Sequence, residues 1–208
     1  MLNIVLASLM TGVLSCDTVT AGQFMLSRPI ILGPVIGLCL GNPYVGFIIG
    51  ICVELIWSSV IPIGSSTPPD MPMTSALATA SAIFSISNYG ITEFPAIILA
   101  LAVSIPCGIL FQAARLKIRL RNSDTIDKIK ADVAKDKYES VNFFTLFAIL
   151  RVFLVSAFFF AACYILITQI PRAYWMLFSI LNVDPGVILR FIYILCFAQL
   201  FEMFIKWK

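Results

Sequence analysis

Histidine is absent from this sequence of 208 residues, and charged side chains make up only 12% of it. Without histidine, the chain lacks the side chain that most often transfers protons in catalysis. The six cysteines stand singly and no two form a CxxC pair, so neither a disulfide framework nor a Cys/His zinc site is predicted. A phosphate-binding Gly-rich loop ending in lysine is missing too. These absences argue against a membrane enzyme and predict no catalytic residue, no metal site and no cofactor.

The scarcity of charge also indicates the class of protein. Soluble domains carry about 25% charged residues, whereas 60% of this chain is hydrophobic. Uncharged stretches of 25, 22, 21 and 20 residues lie, respectively, between Arg28 and Glu54, Asp70 and Glu93, Glu93 and Arg115, and Arg151 and Arg172. A helix needs about 20 apolar residues to cross a bilayer core. The sequence therefore predicts an all-α polytopic membrane protein embedded in a lipid bilayer.

Apolar runs and the breaks between them predict the organisation of the chain. We expect about seven to eight apolar helical segments, at residues 2–15, 30–41, 44–61, 73–88, 94–114, 141–169, 172–182 and 186–206. The first run has no basic region before it and no small-residue cleavage site, so we take it as a retained membrane segment. Residues 1–208 are accordingly predicted to form a single membrane domain.

Basic residues concentrate in one stretch. Residues 115–140 contain eight of the 14 Lys and Arg residues together with five acidic residues. Because cytoplasmic loops of membrane proteins carry the excess of Lys and Arg, we predict that this stretch is a solvated, helical connector facing the cytoplasm. Its mixed signs and its lack of interleaved aromatic residues argue against a nucleic-acid partner.

Glycines recur at a regular spacing in the first third of the chain. Gly33, Gly37 and Gly41 are four residues apart, and Gly46 and Gly50 repeat this interval. In a helix, residues at this spacing lie on one face. Small residues on one face let membrane helices approach closely, so these glycines predict a tight contact between helices.

Prolines interrupt the next part of the chain. Residues 62–72 read Pro-Ile-Gly-Ser-Ser-Thr-Pro-Pro-Asp-Met-Pro, which cannot form a continuous helix because proline removes backbone donors and blocks the preceding turn. Two interpretations stay open: an ordinary loop outside the membrane, or a broken, re-entrant segment at membrane depth. Irregular backbone at that depth is tolerated only inside protein or along a watery cavity, and in transporters it builds the substrate site.

Two carboxylates lie close to this Pro-rich run, and they favour the broken, re-entrant interpretation of it. Glu54 sits within an apolar segment and Asp70 near the end of the run. An acidic residue in a membrane segment costs at least about 2.5 kcal/mol and is by default a candidate functional residue. We predict that both accept hydrogen bonds from substrate hydroxyls such as those of a sugar. The hydroxyls of Ser65, Ser66 and Thr67 would be their neighbours.

Structural roles remain open for both carboxylates. Asp70 directly precedes an apolar helix and could serve as its N-cap. Glu54 could hydrogen-bond to a neighbouring helix instead of a substrate.

The region from 27 to 72 resembles a known family. Its motifs, in order, are Ser27-Arg28-Pro29, Gly33-Pro34, Gly41-Asn42-Pro43, Glu54-Leu55-Ile56-Trp57 and Pro68-Pro69-Asp70. This order of glycines, prolines and acidic residues is similar to the signature region of the IIC (permease) subunit of the mannose/fructose/sorbose family of bacterial phosphotransferase systems. A long helix containing Arg151, after a charged connector, is similar to the family layout as well.

The resemblance implies a function that composition does not. A IIC subunit binds and translocates a hexose, amino sugar or related carbohydrate across the bacterial inner (plasma) membrane, which it crosses several times. The implied partners are a IID membrane subunit and cytoplasmic IIA and IIB subunits, which phosphorylate the sugar with phosphate from phosphoenolpyruvate. The implied assembly is a homotrimer of IIC–IID pairs. The permease subunit itself is expected to translocate the sugar and not to catalyse the phosphoryl transfer.

The chain stops at Lys208, before further membrane segments that the family layout leads us to expect. We therefore expect a C-terminus shortened relative to the family. The alternative interpretation is a shortened, transport-incompetent relative that acts as a scaffold or a receptor surface.

Overall fold

The structure is a computed structural model that describes residues 2–18, 22–58, 69–135 and 137–177, with single positions and short runs between 184 and 205. Within these residues every regular element is a helix, which confirms the predicted all-α class. The helices are α1 (Leu2–Cys16), α2 (Pro29–Leu40), α3 (Pro43–Ile56), α4 (Met71–Tyr89), α5 (Glu93–Val133), α6 (Glu139–Thr168) and α7 (Arg172–Trp175).

Two of the described helices, α5 and α6, are long and apolar enough to cross a bilayer by length and composition. The 41 residues of α5 give it a length of about 60 Å at a rise of 1.5 Å per residue, twice the roughly 30 Å of a bilayer core. The predicted helix 94–114 and the predicted connector 115–140 are therefore one continuous helix as far as Val133. The helices α1, α2 and α3 are apolar but shorter, so the count of seven to eight segments stays a prediction.

One predicted segment differs from the structure at its end, and another is largely untested. The segment 44–61 ends as a helix at Ile56, because the N–H of Ser58 turns back to the carbonyl of Leu55 at 3.2 Å and this tighter bond closes the last turn. Most of the segment predicted at 186–206 lies outside the described residues.

The helices α2 and α3 form a hairpin with a short turn. The turn begins at Gly41, whose φ of 92° is left-handed and suits glycine. Asn42 then caps α3 by accepting a 3.2 Å hydrogen bond from the backbone N–H of Val45. Pro43 occupies the first helical position, where its missing N–H costs nothing.

Glycines bring the two helices of this hairpin into backbone contact. A Cβ added at Gly33 would collide with the carbonyl group of Gly46, and one added at Gly50 would collide with the carbonyl of Pro29. The predicted close approach is confirmed at these three glycines. Gly41 is different, because a Cβ there would meet nothing within 4 Å; its role is the turn.

The helix α4 lies at the centre of the described bundle. Thirteen of its 19 residues are buried, and it packs against α1, α2, α3, α5 and α6. Its small Ala, Ser and Thr side chains allow these neighbours to come close. The first turn packs against α5 at Gly108, where an added Cβ would collide with the hydroxyl of Thr74. The carbonyl of Gly108 accepts a 3.4 Å hydrogen bond from the N–H of Asp70.

Candidate functional site

The predicted site residues lie around the connection between α3 and α4. Glu54 is in the last turn of α3 and Asp70 immediately precedes α4. The predicted neighbours Ser65, Ser66 and Thr67 lie outside the described residues, which end at 58 and resume at 69. The two carboxylates therefore flank the segment 59–68.

Glu54 is paired with Arg28, the residue before α2. Its Oε1 accepts a 2.6 Å hydrogen bond from Nη1 of Arg28. The alternative interpretation, a bond to a neighbouring helix, is therefore met at the N-cap residue of α2. Its Oε2 is buried and has no hydrogen-bond partner among the described residues. One oxygen of this carboxylate is thus held while the other can still accept a hydrogen bond.

Asp70 is more deeply buried, with only 3% of its side chain exposed. Its Oδ1 accepts a 2.8 Å hydrogen bond from the N–H of Met73, so the N-cap interpretation is confirmed. Its Oδ2 lies 2.5 Å from Nε of Arg115. Glu54 and Asp70 are thus each paired with a different arginine.

Arg115 was not predicted as part of the site. It lies on α5 and has three polar neighbours: its Nε forms an ion pair with Asp70 without a hydrogen bond of good geometry, and its two terminal nitrogens donate hydrogen bonds. Besides the contact with Asp70, Nη1 donates to the hydroxyl of Thr18 at 2.5 Å and Nη2 donates to the carbonyl of Ser15 at 3.1 Å. The Arg115 guanidinium therefore ties the end of α1 and the start of α4 to α5. A buried carboxylate needs a cation nearby, and this requirement was the available signal.

Asp17 organises the turn that follows α1. Its Oδ1 accepts a 2.7 Å hydrogen bond from the N–H of Phe24, and its Oδ2 accepts one of 3.2 Å from the N–H of Ser27. Burial raises the pKa of Asp17, but these backbone donors outweigh it and leave the pKa below its ordinary value. The ionised form of Asp17 is thus favoured, and it fixes the backbone one residue before Arg28.

Buried hydroxyls along α4 were also not singled out from the sequence. Thr74, Ser81 and Ser85 bond to carbonyls about one turn back in their own helix, as is usual for Ser and Thr in helices. Ser75 and Thr79 are fully buried too, yet their hydroxyls have no partner among the described residues. Because these two residues are four apart, they lie on one face of α4.

The sequence is similar to those of known proteins. The family described as "PTS system sorbose-specific iic component" matches residues 1–197. The "Putative N-acetylgalactosamine permease IIC component 2" of Escherichia coli (strain K12) is 31% identical over 90 residues, which are 43% of this chain and 68% of that protein. The "PTS system sorbose-specific EIIC component" of Lacticaseibacillus casei is 34% identical over 82 residues, which are 39% of this chain but only 29% of that protein.

A solved structure supports the fold. A chain described as "Structure of membrane protein" superimposes with a TM-score of 0.67, covering 98% of this chain and 80% of that chain. Sequence identity between the two is 19%, so this similarity concerns the fold alone.

Proposed function

Since the chain belongs to the sorbose-specific IIC family of the phosphotransferase systems (PTS), we propose that it binds a sugar and carries it across the membrane in a phosphoenolpyruvate-dependent PTS. The observation that supports this most is the family match over residues 1–197. The two relatives are named for N-acetylgalactosamine and for sorbose. We therefore take the substrate to be a hexose, an amino sugar or a related carbohydrate, with phosphoryl transfer left to partner IIA and IIB subunits.

The proposed sugar site lies between the end of α3 and the start of α4. A carboxylate is an acceptor with two oxygens and can take hydrogen bonds from two sugar hydroxyls. Oε2 of Glu54 supports a direct contact, because it is buried without a donor of its own among the described residues. Asp70 would offer the acceptor capacity that Met73 and Arg115 leave free. Ser65, Ser66 and Thr67 complete the proposal as neighbours.

The surface of α6 supports a location within a membrane. Large apolar side chains are exposed along most of this helix. Soluble monomers rarely expose large apolar patches, so these side chains support contact with lipid or with another membrane subunit. The exposed residues are Phe143, Leu146, Phe147, Leu150, Leu154, Phe158, Ile165 and Leu166. We propose a multi-pass protein of the bacterial inner membrane.

The charged half of α5 is proposed to face the cytoplasm. Arg115 lies about 33 Å along the helix from Glu93 at 1.5 Å per residue, so the basic residues begin where the helix would leave the bilayer core. A cysteine replacing the exposed Ser123, in a chain without the native cysteines, should stay unlabelled by a membrane-impermeant thiol reagent added to whole cells. A cysteine replacing Ser87, which is exposed near the end of α4 and so close to the start of α5, should be labelled by the same reagent. Labelling of residue 123 from outside would refute this orientation of 115–140.

The function is proposed to need partners: a IID membrane subunit, cytoplasmic IIA and IIB subunits, and assembly as a homotrimer of IIC–IID pairs. We expect labelled sugar to accumulate in cells lacking their own system only when the chain is expressed with these partners. The measurement is uptake over a panel of hexoses, ketoses and amino sugars. A stable, sugar-binding chain purified without IID would contradict the partner requirement. If no sugar enters although the complex assembles, the chain is the transport-incompetent scaffold.

A further inference from the structure

Polar contacts and short stretches of backbone connect Glu54 and Asp70, the two proposed sugar-binding carboxylates. No described hydrogen bond or ion pair joins these two residues directly. The connection starts at Asp70, whose carboxylate lies against Arg115, and Arg115 binds the carbonyl of Ser15 and the hydroxyl of Thr18. These two residues bracket Asp17 in the sequence. Arg115 therefore connects the end of α1 to Asp70, the residue that caps α4.

The second half of this connection runs from Asp17 to Glu54. The Asp17 carboxylate holds the N–H groups of Phe24 and Ser27 at 2.7 and 3.2 Å. The residue after Ser27 is Arg28, which donates to Oε1 of Glu54 at 2.6 Å. A fixed backbone at Ser27 thus fixes the point from which the Arg28 side chain reaches the carboxylate.

The backbone of residues 22–28 needs this support. Gln23 and Met25 have positive φ angles of 55° and 64°, a conformation that is unfavourable for side chains other than glycine. Such conformations persist only where the surrounding structure enforces them, and they cluster at ligand-binding sites. The Asp17 carboxylate, which accepts from the N–H of Phe24 between these two residues, is the enforcing group.

We propose that Asp17 and Arg115 are positioning residues of the sugar site. They hold Glu54 in place at the end of α3 and Asp70 in place at the start of α4. A ligand bound by both carboxylates requires that each stays in its position, and a displacement of about 1 Å weakens such sites strongly. This inference rests on the proposed function and concerns residues that need not touch the sugar.

The test is initial-rate sugar uptake by the full chain assembled with its partner subunits. We expect Arg115→Gln and Asp17→Ala each to raise KM about 10-fold with a smaller change in the maximal rate per assembled complex. Asp17→Asn should recover part of the loss, because its amide oxygen can still accept from the N–H of Phe24. In a Glu54→Gln background, Asp17→Ala should add little, since its effect passes through Arg28 to that residue.

Matched charge removals outside the network serve as controls. Arg151→Gln removes an arginine that pairs with Asn122 at 2.9 Å, and Asp127→Asn removes a surface carboxylate paired with Lys130 at 3.4 Å. Both variants should keep the wild-type KM. If Arg115→Gln fails to assemble, Arg115→Lys carries the test, because it keeps the charge but lacks the planar fork that reaches three partners at once.

Three results separate this inference from the proposed function. Wild-type KM in the assembled Asp17 and Arg115 variants would overturn the inference alone. A full Asp17→Ala effect in the Glu54→Gln background would also overturn it, because Asp17 would then act independently of Glu54. Absence of uptake by the wild-type complex would overturn the proposed function, and this inference with it.

Discussion

Glu54→Gln is expected to raise the KM for sugar uptake about 10- to 150-fold, the equivalent of losing about 1.5–3 kcal/mol of charged hydrogen bonding. The substitution keeps the size of the side chain but replaces one acceptor oxygen by a donor. It also removes the negative charge that draws Arg28 to 2.6 Å. Both effects act on the same carboxylate, because Oε1 is held by Arg28 and Oε2 is buried without a hydrogen-bond partner among the described residues.

The measurement is uptake of the sugar that the wild-type complex transports, normalised to the amount of assembled complex. Asp124→Asn is the matched control, because it removes a carboxylate from the exposed part of α5 and should leave KM unchanged. Asp70→Asn should also weaken uptake while α4 keeps its cap, since asparagine is as good an N-cap as aspartate. If Glu54→Gln and Asp70→Asn both assemble and transport with wild-type KM, the sugar-site assignment is wrong.

Much of the fold could be predicted from local signals. The region 27–72 identified the IIC family, and the match over residues 1–197 confirms it. Gly33, Gly46 and Gly50 predicted a close helix contact that the hairpin of α2 and α3 confirms. Helix and capping signals of this kind act within a few residues, so a single sequence displays them. The continuity of α5 through Arg115 was harder to predict, because the composition changes there from apolar to charged. No helix-breaking residue accompanies that change, and the helix continues through it.

The partners of the carboxylates could not be predicted in the same way. Glu54 and Asp70 were found because an acidic residue in an apolar stretch is costly. Their arginines lie 26 and 45 positions away in the sequence, and a single sequence does not indicate which cation reaches which anion. Asp17 was missed for a different reason: its hydrogen-bond donors are backbone N–H groups, which almost any residue supplies.

Gly33→Ala is expected to disrupt the hairpin of α2 and α3 and to destabilise the protein by about 3 kcal/mol, the upper part of the range for overpacked sites. The added methyl group would collide with the Gly46 carbonyl. A side chain can rotate away from such a clash, but a backbone carbonyl inside a helix cannot without breaking its own hydrogen bond. The two helices must therefore separate, which moves Arg28 and Glu54 relative to each other. Thermal unfolding of the assembled complex in detergent would measure the loss.

Gly41→Asn is the matched control for this prediction. A Cβ at Gly41 would meet nothing within 4 Å, and its φ of 92° is left-handed, a region that asparagine adopts more readily than most residues. We expect a change below about 1 kcal/mol there, although both substitutions replace a glycine of the same helix pair. A second methyl at Gly46 should cost less in the Gly33→Ala background than alone, because the helices are already apart. Equal stability of Gly33→Ala and wild type would refute the backbone contact, and with it the geometry that sets Arg28 against Glu54.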